Sequence, residues 1–280
     1  LKIYNGGAVK SIYHRMSSIG GVVLGLVFTV AGATQATVQT DPSLPLSVSS
    51  MPSPEAFALA SPDVSREQAL DLWATYYYVH GTESTDAGYS LLTPKGHGLG
   101  GKVSHKDWCY GALQGTIRVK NEHGHAKVYN YAGRSRTQQV DCSAYFSLPK
   151  KILKKVGKVR FGPAIGPFGD GVQGMILVPY RTIAVDQRKI PYGSVVFIPE
   201  AKGVKVTLSN GQSFLHDGYF FAADTGSAIK HTHIDVFIGD SGTNPFASFV
   251  TSQASGKFKA YVVDSDLLGE QLASIHRSGL

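Results

Sequence analysis

The chain has 280 residues, 42% of them hydrophobic and 17% charged, and a net charge of +7. That apolar content supports a folded core and excludes a disordered chain. The 32 glycines, 14 tyrosines and 13 phenylalanines, without a long acidic or basic run, favour a β-rich, loop-rich protein over a helical bundle or coiled coil. Lys2, Lys10 and Arg15 lie in the first 36 residues, which hold no acid, so the remainder has 24 basic and 20 acidic residues. A surplus that small and that scattered suits an anionic polymer and lacks the clustered basic stripe of a nucleic-acid binder.

In chain order, the basic start is followed by an apolar run, IGGVVLGLVFTVAGA, from Ile19 to Ala33. Ala31 with Ala33, or Thr34 with Ala36, has cleavage spacing. Residues 1–36 therefore read as a secretory signal peptide, which places the protein in the periplasm or cell envelope. The alternative is a retained anchor, although the run is shorter than the ~20 residues of a spanning helix; an uncleaved signal is the one membrane contact expected. No cysteine adjoins the run, which excludes a lipid-modified cysteine there. Residues 37–64, rich in Pro and Ser, read as a flexible linker. The folded part is expected over 65–280.

Ser65 and Gln68 have capping-box spacing before a predicted helix, EQALDLW. ATYYYVH, residues 74–80, reads as a strand. Residues 81–145 are loop-heavy, with a strand at GTIRV, 115–119. They carry Cys109 and Cys142, the only cysteines. In an exported chain an even pair is most simply one disulfide, with a catalytic thiol as the alternative. The loop it closes is worth about 3 kcal/mol by chain entropy. SLPKKILKKV, 147–156, predicts a short cationic helix, and the Pro and Gly of 161–174 an irregular loop. From Met175 short strands recur: MILVPY, TIAVD, SVVFIP, VKVTLS, YFFAAD, HIDVFIG and FKAYVV. That spacing predicts a barrel or sandwich. PFASFVTSQ, 245–253, and LLGEQLASIHR, 267–277, read as helices.

Two motifs mislead. Gly96 to Lys102 resembles a phosphate-binding loop, but Val103 stands where a Mg²⁺-binding hydroxyl is needed, so the stretch reads as a flexible loop. His231, His233 and Asp235 alternate on a predicted strand and so share one face, a conceivable metal site. His123 and His125 repeat that spacing in a polar loop, and nothing else converges on them. Neither a metal nor a cofactor is expected.

The chemistry lies in three carboxylates. Asp186 ends TIAVD, Asp224 ends YFFAAD and Asp235 lies within HIDVFIG. An aspartate after four apolar or small residues, as Asp224 is, will be partly desolvated, which raises its pKa; a like charge nearby raises it further. A carboxyl kept neutral in this way is what a general acid requires. Alone, each could equally cap a turn, as Asp170 and Asp240 are expected to do.

AVDQRKIPYGSVVFIPE followed by FAADTGSAIKHTHIDVFIGD closely resembles the three-aspartate (3D) domain, found in membrane-bound lytic transglycosylase A and in stationary-phase survival and resuscitation-promoting proteins. Asp186, Asp224 and Asp235 match its three aspartates. The likeness is strong over about 180–263, with ATYYYV resembling the first barrel strand and 81–175 an insertion it does not explain. It implies a mainly β fold, a six-stranded double-psi β-barrel with an inserted loop-rich lobe and short helices. It implies a peptidoglycan lytic transglycosylase that cleaves the β-1,4 bond between N-acetylmuramic acid and N-acetylglucosamine and forms a 1,6-anhydro product. Asp224 would be the single acid/base, with Asp186 and Asp235 supporting it and glycan strands as partner. Thr225 and Gly226, at a short helix turn, Lys230, and the rings of Tyr76 and Tyr78 would contact the substrate. Ser227 and His231 replace glycines of the family pattern and put side chains beside the groove. A non-catalytic peptidoglycan-binding barrel and a two-carboxylate glycoside hydrolase are the alternatives.

Overall fold

The computed structural model describes residues 53–277 apart from Glu67 and Ser241; the expected signal peptide and the linker as far as residue 52 lie outside these. Strand β1, Gln68–Glu83, is the spine of the molecule. Its first half is the segment predicted as a helix. Leu70 and Leu72 alternate with Asp71, and the backbone of 68–72 pairs antiparallel with 258–262. That sheet partner outweighs the local helical preference.

Hairpin strands β2, Tyr89–Leu92, and β3, Gly98–Val103, follow, so the glycine-rich stretch read as a flexible loop is strand from Gly98 onward, with Gly98 opposite Leu92 and Lys102 opposite Ser90. Helix α1, His105–Gln114, had no counterpart in the sequence reading. Ser104 caps it by accepting from the Asp107 amide, and Gly115 ends it in the left-handed conformation. Strands β4, Thr116–Lys120, and β5, Ala126–Arg134, the short cationic helix α2, Lys150–Val156, and β6, Val159–Pro163, complete this lobe. β4 continues the sheet from the far end of β1, parallel to His80–Glu83, and β5 and β6 add antiparallel beyond it. The lobe has its own core, including Leu91, Trp108, Ile117, Val156 and Phe161. A Cys109–Cys142 disulfide pins α1 to the segment before α2.

The remaining elements are β7, Thr182–Ala184, β8, Val195–Phe197, β9, Lys205–Thr207, β10, Ser213–Leu215, β11, Tyr219–Asp224, β12, His233–Asp240, β13, Phe258–Val263, and helix α3, Asp266–Ile275. Six strands close a ring of pairings in the order β1, β12, β7, β11, β8, β13 and back to β1. All six send side chains into one cluster: Leu72 and Ala74, Ile234 and Val236, Ile183, Phe220 and Ala222, Val196, and Ala260. Period-two alternation makes this the inside of the ring and puts the intervening residues on its outer face.

Three other expectations are corrected. MILVPY forms only isolated bridges at Met175 and Ile176. PFASFVTSQ is a series of turns, because the Asn244 side chain accepts from the Phe246 amide and donates to the Val250 carbonyl, closing a loop instead of a helix; its Phe246, Phe249 and Val250 still fill the ring core. The end of the expected linker is docked. Phe57 is buried against Phe214, with ring centroids 4.1 Å apart, and the Arg181 guanidinium lies 4.2 Å from its centroid. The Leu59 amide donates to Asp217 and the Ala60 carbonyl accepts from Tyr219. One buried aromatic thus anchors a chain that composition alone describes as loose.

Candidate functional site

β7 lies between β11 and β12, and its last residue, Ala184, is in register with both Asp224 and Asp235. The three strands therefore carry all three aspartates to one end of the ring. On β11 two residues, Ala222 and Asp224, span a step that β7 makes in one. This slip takes Asp224 off the inward parity of Phe220 and Ala222. Asp235 shares outward parity with His233 and Phe237. Opposite it on β1, Thr75 and Tyr77 face the same way, with Thr75 in direct register with Asp235.

The Tyr77 hydroxyl donates to Asp224 Oδ2 at 2.6 Å and the Thr225 amide to Oδ1 at 2.7 Å. Thr75 Oγ1 donates to Asp235 Oδ1 at 2.6 Å. Both carboxyls are half-buried, and among the described residues no cation pairs with either. Burial pushes Asp224 up to about 6 against the opposing hydrogen bonds of Tyr77 and Thr225. Burial, with the Asp224 charge as a further cause, pushes Asp235 up to about 7 against its bond from Thr75. Burial and the same two carboxylates hold the Tyr77 phenol well above its usual value, so it stays a donor. Carboxyls raised to about 6 and about 7 retain roughly one proton between them just below neutral pH. Asp224 receives two donors and Asp235 one, so the proton rests more readily on Asp235.

Asp186 differs. Arg188 Nε and Nη2 donate to its two oxygens at 2.9 and 2.7 Å, and the His231 amide donates at 2.9 Å. The Arg188 bonds, then the His231 amide, hold Asp186 well below the carboxylate range. It is ionised, has no hydrogen bond to Asp224, and ties down the turn between β11 and β12 at His231, whose φ is 58°.

That turn holds the other sequence candidates, and it contains no helix. Thr225 is exposed, its hydroxyl 3.4 Å from the Val185 carbonyl. A Cβ on Gly226 would come within 2.7 Å of the Ile229 side chain, which explains the glycine. Lys230 is exposed and without an ion pair among the described residues. Tyr76 and Tyr78 alternate onto the other face of β1 and pack against the ring core, away from the face that carries Tyr77. Of the stretch expected as a loop, residues 161–163 belong to β6 and the rest, 164–174, closes over the end of β11, where the Val172 amide donates to the Ala223 carbonyl and a Cβ on Gly171 would clash with that carbonyl oxygen. Of the lesser acids, Asp170 accepts from the Ile165 and Gly166 amides and Asp240 pairs with Arg118.

Thr75, Tyr77, Arg188 and His233 were not singled out for these roles. His233 Nε2 is 2.9 Å from Thr75 Oγ1 and its ring stacks on Trp73 at 3.6 Å. Burial lowers it to about 4, so it is neutral. Its ring serves the Asp235–Thr75 chain, and His231 contributes its amide to Asp186, so the two histidines do not converge. The signal for Tyr77 was available, since strand parity allows either Tyr77 or the pair Tyr76 and Tyr78 to face the aspartates; choosing between them requires the pairing partner.

Residues 181–245 match the family model of the 3D domain. No curated protein matches the chain. Among solved structures, Escherichia coli MltA with bound chitohexaose is similar at 18% identity over 69% of this chain and 71% of that one, with a TM-score of 0.46. A membrane-bound lytic murein transglycosylase from Agrobacterium tumefaciens is similar at 15% identity over 72% and 76%, TM-score 0.43. The lytic transglycosylase LtgG of Burkholderia pseudomallei is similar at 20% over 69% and 71%, TM-score 0.38. At these identities and scores the overall likeness assigns no activity. The sequence motif, the matched segment and the convergence of Asp186, Asp224 and Asp235 agree: residues 181–245 of this chain are a 3D domain.

Proposed function

We propose that the protein is an exported peptidoglycan lytic transglycosylase working on glycan strands in the periplasm or cell envelope, and that its six-stranded ring is a double-psi β-barrel carrying an inserted lobe. The observation that carries this reading is the Asp224–Asp235 pair: two half-buried carboxyls without a cation, raised to about 6 and about 7. Such a pair can hold a transferable proton at neutral pH. The Cys109–Cys142 disulfide suits an oxidising compartment.

In this mechanism Asp224, at the mouth of the exposed turn, delivers the proton to the glycosidic oxygen as the bond to the muramoyl C1 breaks. The resulting Asp224 carboxylate takes the proton of the muramoyl C6 hydroxyl as that oxygen bonds to C1. The proton returns to its starting residue, no water is consumed, and the products are a 1,6-anhydro end and a free 4-hydroxyl. Tyr77 steadies the carboxylate between the two steps. Asp235, raised to about 7, stands by as a largely neutral carboxyl and spares Asp224 a second negative charge as its own forms. Asp186 holds the turn that presents Thr225 and Gly226 to the strand.

The paired carboxyls also fit the two-carboxylate hydrolase, in which Asp235 would activate water. Mass analysis of soluble products from peptidoglycan sacculi separates the readings. Anhydro ends, one water lighter, are expected; reducing ends would support the hydrolase, and co-sedimentation without release a binding barrel.

A further inference from the structure

Resting on the proposed activity, we infer that Arg134 is a specificity-determining contact for a carboxylate on the peptide stem of the glycan. Arg134 is the last residue of β5, in the lobe, and reaches the turn that follows Asp224: its Nη2 donates to Ser227 Oγ at 3.4 Å. Its guanidinium lies over the Tyr131 ring, 5.1 Å from the centroid. Both ends of the bridge are exposed, and Tyr131 is 41% exposed. Among the described residues Arg134 has no carboxylate within ion-pair distance and no other side-chain hydrogen bond.

Three other arginines set the contrast: Arg118 pairs with Asp240, Arg181 with Asp217 and Arg188 with Asp186. Arg136, Arg160 and Arg277 also have no carboxylate partner among the described residues, and what sets Arg134 apart is its contact with the turn after Asp224. Arg134 is preorganised by an aromatic face and a hydroxyl, three residues along the chain from the proposed acid/base, and keeps its charge uncompensated. A planar cation held in that way recognises a carboxylate by paired hydrogen bonds. A strand lying against Asp224 carries its carboxylates on the stems attached to the muramoyl lactyl groups, while the sugar rings themselves are neutral. Ser227, which stands where the family pattern has glycine, supplies the oxygen that draws the arginine to the turn.

The test compares glycan strands bearing native stems with strands whose stem carboxylates have been converted to primary amides, since removing the stems with an amidase would leave a lactyl carboxylate on each muramoyl residue. KM is measured for cleavage, and Kd in the Asp224→Asn background, where binding is read without turnover. The preference for strands with free stem carboxylates should fall about two- to fivefold in Arg134→Gln and partly recover in Arg134→Lys. An unchanged preference in Arg134→Gln, or no preference in the parent protein, would overturn the inference. If neither substrate is cut but the Kd preference is present and lost in Arg134→Gln, the proposed chemistry fails and the stem contact stands.

Discussion

The ring contains two sets of buried carboxylates with opposite electrostatics. At one site Asp217 accepts from Arg181 Nη1 and Nη2 at 2.7 and 2.8 Å, with Arg181 fully buried. Burial alone would raise Asp217, but the Arg181 bonds and charge outweigh it and hold this carboxyl below its usual value. At the other, Asp224 and Asp235 face only hydroxyls, an amide and each other, and burial wins. Burial is common to both, and the presence of a cation decides whether a carboxylate becomes a permanent charge or a movable proton. The first arrangement fastens the chain around Phe57 to the ring. The second, held by neutral donors alone, sits beside an exposed turn.

The largest expected effect comes from removing the movable proton. Asp224→Asn should lower release of anhydro-muropeptides by roughly 10²–10⁴-fold, measured on sacculi, with the melting temperature held or raised. Release at the level of the parent would refute the acid assignment.

Breaking the other pair should act on stability. Asp217→Asn leaves the Arg181 charge buried and half-satisfied, a loss of about 3–5 kcal/mol, to be read by urea unfolding. The pH dependence of the two sites also has opposite sign. Asp217, lowered on folding, stabilises above the unfolded pKa of about 3.9, and this contribution is lost as pH falls through its folded value. Asp224 and Asp235, raised on folding, bind protons more tightly in the native state, so stability falls as pH rises from about 4 through 7.

Tyr77→Phe sharpens the comparison from within. Removing its bond to the Asp224 carboxylate, worth about 1.5–3 kcal/mol, should push the alkaline limb of the pH–rate profile, set by loss of the Asp224 proton, upward and lower the rate about tenfold or more. An unshifted limb would take Tyr77 out of the mechanism. The smallest effect is expected from Asp235→Asn on stability: a gain of the order of 1 kcal/mol at pH 8, or ~2–4 °C, shrinking towards pH 5. A variant with the same stability as the parent at both pH values would mean that Asp235 is not strained by its surroundings.

The sequence disclosed this site unevenly. Asp224 was legible because an apolar strand run precedes it, and Asp235 because the family pattern spaces it from Asp224. The convergence of their strands at Ala184 was not, since it depends on pairings between β7, β11 and β12 distant in the chain. The role of Asp186 was legible only in part. Arg188 stands two residues away in the sequence, but its closure onto Asp186 depends on the turn. Helix α1 and the strand identity of residues 68–73 were hidden because both depend on partners, the disulfide-pinned lobe core in one case and β13 in the other. Helix α3 was legible from its own sequence, LLGEQLASIHR, and the structure adds the Ser265 cap.

The proton pair itself can be observed by carbon-13 carboxyl titration of aspartate-labelled protein, assigned with Asp224→Asn and Asp235→Asn. Two coupled apparent values near 6 and 7, with Asp217 titrating below its usual range, are the predicted result. Aspartates 224 and 235 that both lose their protons near 4 would contradict it, and with it the chemistry proposed for this site.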